Sequence, residues 1–116
     1  MKPRAYLVGV VLTVAWATGV HAGSANGTVY RLELYSNSPR VAVALVNGAE
    51  DRAPCATNPN GFQFAFDGST DVGRKMYAGL LASQRAGSIV IIGGTGACTY
   101  PELEDVAFVQ TTGTNL

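Results

Sequence analysis

Two cysteines, eight carboxylates and a single histidine bound the chemistry open to this chain. The histidine, His21, lies in Val20-His21-Ala22, which offers small residues at the −3 and −1 positions of a leader-peptidase site. Ahead of it come a short basic start, Met1-Lys2-Pro3-Arg4, and an uncharged, mostly apolar run, Ala5–Thr18. That run is too short and wrongly flanked for a stable transmembrane span, so residues 1–22 read as a signal peptide cleaved after Ala22. Cleavage removes His21 and the only tryptophan, Trp16, and leaves residues 23–116 as a single domain with a thin core margin. Without histidine, a Ser-His-Asp triad, a Cys-His pair and an imidazole metal site are all excluded.

Carboxylates remain as the general acid–base candidates. Glu50-Asp51 and Glu102, Glu104 and Asp105 fall in expected loops, with no sequence neighbour that shifts a pKa in a foreseeable way, and they read as solvated loop acids. A glycosidase needs two carboxylates about 5–9.5 Å apart across a cleft, which spacing along the chain does not reveal. The Asp/Asn ladder of a calcium loop is missing, and no cofactor or metal is implied. Gly93-Gly94-Thr95-Gly96 lacks the Gly-Lys-Ser/Thr of a phosphate loop and opens no helix, so it reads as a tight turn.

Cys55 and Cys98 are the whole thiol complement, an even pair in a chain expected to be exported. A disulfide between them closes a loop of roughly 44 residues, worth about 4 kcal/mol by chain entropy. The alternative, free or reactive thiols, finds no CxxC spacing or adjacent histidine to support it. After loss of Lys2 and Arg4, six basic residues face eight acidic ones, a net charge of about −2. That balance argues against a nucleic-acid partner, which calls for a basic patch. Leader and disulfide together fit the bacterial periplasm or secretion, with no membrane anchor left after cleavage.

These residues need elements to hold them. Thr28–Ser36 alternates, with Tyr30, Leu32 and Leu34 on one face and Val29, Arg31, Glu33 and Tyr35 on the other, as a half-buried strand does. Asn37-Ser38-Pro39 turns the chain into a second strand, Arg40–Val46. Asn47–Gly61 is a breaker-rich loop carrying Cys55. Phe62, Phe64 and Phe66 mark one face of a third strand, either as core or as a stacking platform. A helix follows, capped by Ser69 or Thr70 and ended by Gly87. Val72, Met76, Tyr77, Leu80, Leu81 and Gln84 share one half of its wheel. Arg74, Lys75 and Arg85 lie opposite, together with Ala78, Ala82 and Ala86. Ser88–Ile92, apolar on both faces, and Val106–Gln110 complete five strands. The fold class is mainly β, in the order β-β-β-α-β-β. That is the order of a five-stranded OB-like Greek-key barrel with one helix between strands 3 and 4, and an α+β sandwich is the alternative. Asn26, Thr28, Ser36, Asn37, Ser38, Asn58 and Asn60 at the loop ends can bond sugar hydroxyls, with Tyr30, Tyr35 or Tyr100 as a flat surface for a pyranose. Turn chemistry accounts for the same residues.

Several features combine at this point: Ser38-Pro39 after the first strand, a cysteine after the second, and the run Leu80-Leu81-Ala82-Ser83-Gln84-Arg85-Ala86-Gly87 leading straight into Ser88-Ile89-Val90-Ile91-Ile92 and a second cysteine. In these the chain resembles small secreted OB-fold proteins related to the B subunits of subtilase-cytotoxin and pertussis-like toxins. The resemblance implies a non-enzymatic barrel that binds a host or surface glycan through residues such as Asn26, Thr28, Tyr30 and Tyr35. It further implies a homo-pentamer, with or without a catalytic A subunit, whose helices face the central axis through Ala78, Ala82 and Ala86. In those relatives a serine ahead of the first strand contacts sialic acid; the aligned residue here is Asn26, a departure that bears on sialic-acid specificity. A second class of function, a structural or inhibitory envelope protein, uses the same barrel surface. A hydrolase working through loop carboxylates is a distant third.

Overall fold

In the computed structural model, residues 21–46 and 50–113 are described. All but the last two residues of the expected signal peptide, the Asn47-Gly48 turn and the end of the polar tail lie outside them. Six strands and one helix follow in order: β1 (Ser24–Leu34), β2 (Arg40–Val46), β3 (Glu50–Asp51), β4 (Phe64–Asp67), α1 (Asp71–Ala86), β5 (Ile89–Gly94) and β6 (Glu104–Thr111). The strands form one sheet in the order β2-β4-β6-β5-β1-β3, and β1 also pairs with β2. All ladders are antiparallel except β4–β6, which joins Phe64 to Glu104 and Ala65 to Asp105. The result is a mainly β compact globule with one helix. Among the described residues no helix is long and apolar enough to cross a membrane.

The long first strand serves two neighbours. Ser24–Thr28 pairs with β5, and Thr28–Leu34 pairs with β2. Between Val29 and Arg31 the register slips by one residue, a β-bulge that reverses the facing of all that follows. The simple alternation expected from the sequence therefore fails. Val29 is buried, Tyr30 is 61 % exposed, Leu32 packs partly on the core and Leu34 faces out.

The helix is set by local chemistry. The Thr70 hydroxyl accepts from the Gly73 amide at 2.9 Å, and Gly87 closes the far end in the left-handed conformation. Just ahead, the hydroxyl and then the amide of Ser69 hold the Asp67 carboxyl below its ordinary range. Leu80 is fully buried, with Met76 and Tyr77 packed beside it. Val72 and Leu81, expected on the buried half, are exposed because they fall at the two edges of the stripe. Ala78, Ala82 and Ala86 lie on the outer face with the basic residues.

Two apolar clusters result. Val29, Val41, Val43, Phe64, Phe66, Leu80, Val90 and Ile92 are among those forming the main core. Ala42, Ala44, Phe62, Ala65 and Leu103 form a smaller cluster, with Tyr100 packed against it. Phe62, Phe64 and Phe66 are thus core residues rather than a platform. They do not form one stripe either, since Phe62 precedes β4 and joins the second cluster. Strands β2 and β4 are buried on both faces because loops cover their outer side. The Cys55–Cys98 disulfide, with Cα atoms 6.1 Å apart, ties the loop after β3 to the loop after β5.

Other expectations need correction. The breaker-rich segment 47–61 contains the short strand β3, which pairs Ser24 with Asp51 and Ala25 with Glu50. β5 is apolar on both faces but fully buried on only one: Val90 and Ile92 are buried while Ile89 is exposed. Gly93 and Gly94 belong to β5 rather than to a turn, because neighbouring side chains fill the space a Cβ would need: the Phe108 ring over Gly93 and the Glu104 carboxylate over Gly94. Glu104 and Asp105 open β6, and Glu104 is no solvated acid but fully buried.

Candidate functional site

The bulge at Tyr30 places Arg31, Glu33 and Tyr35 outward over the face of β2 that carries Arg40, Ala42 and Ala44. Arg31 stands opposite Ala44, and Glu33 opposite Ala42. Alanines there leave room, and a polar cleft of about 470 Å³ opens. Ala42 and Leu103 floor it, and Asn58 and Asn60 supply the far wall.

Both arginines are held by aromatic rings. The Arg31 guanidinium lies 4.7 Å from the centre of the Phe62 ring and 5.4 Å from that of Tyr30, and its Nη2 donates to the Asn60 carbonyl at 2.8 Å. The Arg40 guanidinium lies 4.1 Å from the Tyr35 ring centre and 5.8 Å from that of Tyr100. Its Nε is buried and has no hydrogen-bond partner among the described residues. The Tyr35 hydroxyl donates to the Glu33 carboxylate, and the Asn58 side-chain oxygen accepts from the Asn60 amide at 2.8 Å. Two rigid cations, one carboxylate already engaged and two amides make a lining suited to an anionic, hydroxyl-rich ligand, because guanidinium forks match carboxylates.

A second cavity of about 300 Å³ lies between the start of α1 and residues 99–106. Its acids are occupied: Asp105 accepts from the Thr99 amide at 3.0 Å and hydroxyl at 2.6 Å, and Asp67 is tied to Ser69. Burial, and then the Asp67 charge, push the Tyr100 hydroxyl up, so it stays a neutral phenol. No group of three or more metal-ligating side chains occurs among the described residues.

Of the residues singled out from the sequence, Tyr35, Asn58 and Asn60 meet in the polar cleft and the others do not. Tyr30 touches its edge only through Arg31. Asn26 and Thr28 sit on the other half of β1, opposite Ile91 and Ile89 of β5. Asn26 borders a separate depression with Glu50 and Asp51. Arg31 and Arg40 were not among them. Their only sequence signal is position: Arg31 falls inside the first strand and Arg40 opens the second, on either side of one tight turn. No family model matches the chain, and no curated protein or solved structure matches it.

Proposed function

We infer that this chain is an exported, non-enzymatic binding module whose ligand is a glycan bearing a carboxylate. The observation that carries the reading is the cleft between Arg31 and Arg40, with the unpartnered Arg40 Nε buried at its side. The pairings run β1–β2–β4–β6–β5 and back to β1, with α1 between β4 and β5. That circuit supports an OB-like Greek-key barrel, the scaffold of the toxin B subunits that the sequence resembles.

A glycan array followed by titration of the best binder tests this. Arg40→Ala is expected to weaken binding by at least about tenfold, since a hydrogen bond to a charged group contributes about 1.5–3 kcal/mol. Arg40→Lys is expected to recover little, because an ammonium lacks the fork. An array without binders, or unchanged affinity in a folded Arg40→Ala chain, removes the reading.

A pentamer with α1 toward its axis, with or without an A subunit, belongs to the same proposal. It draws support from the exposed Ala78, Ala82 and Ala86 face, which permits close helix approach. Light scattering is expected to give about five chain masses, falling to one in Ala82→Arg. A wild-type monomer removes the ring. It also favours the second reading, an envelope protein that meets a partner through apolar surface, for which exposed Val72, Ile89 and Phe108 speak.

A further inference from the structure

Glu104 is 0 % exposed, yet no arginine, lysine or histidine pairs with it among the described residues; the ion pairs found there join His21 to Asp51, Arg52 to Glu50 and Arg74 to Asp71. Its Oε2 accepts from two backbone amides, Gly23 and Gly96, each at 2.8 Å. Its Oε1 is buried and has no hydrogen-bond partner among the described residues. A carboxylate taken out of water in this state is costly, and a protein normally supplies a counter-ion.

The amide of Gly23 is no ordinary donor. Gly23 is the residue that the Val20-His21-Ala22 site makes the first of the processed chain. The structure buries it while leaving His21 and Ala22 exposed. Its own carbonyl accepts from Gly94 at 2.8 Å, which anchors it beside β5. Any side chain at this position would collide with the unpartnered Oε1 of Glu104 and with the Asp51 carbonyl. The residue expected to carry a new charge after processing therefore sits against the buried atom that lacks a partner.

We propose that cleavage of the Ala22–Gly23 bond creates the counter-ion of Glu104, and that the mature N-terminus locks the fold. Water adds across the amide under a leader peptidase. The C–N bond breaks, Ala22 departs as a carboxylate and the Gly23 nitrogen leaves as an α-ammonium. One N–H becomes three. One keeps the bond to Oε2, and another serves Oε1, beside which Gly23 already lies. The lock gathers β1, β5 and β6 at one point, and Cys55 Sγ contacts the Gly96 carbonyl at 3.7 Å next to it. The His21–Asp51 contact at 2.8 Å belongs to the uncleaved chain and is lost on processing.

The proposal rests on the cleavage reading, and two measurements separate them. The intact mass of the exported protein is expected to begin at Gly23; a different first residue overturns processing as the source of the charge. Independently, the full mature chain is released from a fusion with a free Gly23 and compared in urea with a chain beginning at N-acetyl-Ala22. The latter keeps the neutral amide and the geometry seen here, so bulk does not confound the comparison. The free-Gly23 chain is expected to have an unfolding constant at least about tenfold smaller, as follows from supplying a buried charge with its partner. In Glu104→Gln the two chains are expected to coincide. Equal stability of the two wild-type chains overturns the lock, and so does a difference that persists in Glu104→Gln. Should Glu104→Gln fail to fold, the wild-type pair still decides.

Discussion

Phe64→Ala is expected to cost about 3–5 kcal/mol, most of what holds a domain of this size together. Phe64 is 0 % exposed and stands in β4 between β2 and β6, against Val43 on one side and Glu104 on the other. Its ring belongs to the cluster that joins the sheet to Leu80 of the helix, so truncation leaves a cavity that neither layer can collapse to fill. Urea denaturation followed by circular dichroism measures the loss. Ile89→Ala, at a site 53 % exposed on β5, is expected to change stability by less than about 1 kcal/mol and serves as the reference. A Phe64→Ala chain within about 1 kcal/mol of wild type would show that the core lies elsewhere.

Replacing both Cys55 and Cys98 by serine is expected to cost about 4 kcal/mol, from the closure entropy of a loop whose ends are 43 residues apart in sequence. The loss should not be confined to stability. The bridge holds down the loop that carries Asn58, Asn60 and Phe62, and Arg31 leans on that loop through its bond to the Asn60 carbonyl. On the glycan-binding reading proposed above, affinity is therefore expected to fall with reduction, although neither cysteine lines the cleft. Thermal melts with and without reductant, at a ligand concentration held fixed, test both parts. An unchanged melting temperature would mean that the loop is fixed by its other contacts, such as Asn58 N–H to the Glu102 carbonyl at 3.2 Å.

What was legible in the sequence was local. Thr70 and Gly87 mark the ends of α1 because caps are chosen by neighbouring backbone, and β2 shows in its run of β-branched residues. The disulfide followed from there being only one pair to make. What escaped was set by distant partners. Glu104 reads as a surface acid until Gly23 and Gly96 are brought to it across the sheet. The bulge after Val29 has no signature in TVYRLELYS, yet it decides that Arg31 and Tyr35 face a common cleft. β3 is too short for any periodicity to show, and its two residues pair only because β1 extends back to Ser24. Phe62 looks like the first of a stripe, and only the covering loops reveal that it packs on the other side from Phe64.

The divided pairing of β1 also governs the order in which the chain can assemble. Its second half meets β2 across a tight turn and can zip early, but its first half pairs Ser24 with Gly93, most of the domain away. Contacts of such high sequence separation place the molecule among slow, topology-limited folders, since loop closure comes before any reward. A polypeptide emerging from the ribosome cannot complete that ladder until Gly93 has been made. The first half of β1 therefore waits for β5 through most of synthesis, in keeping with the export proposed above.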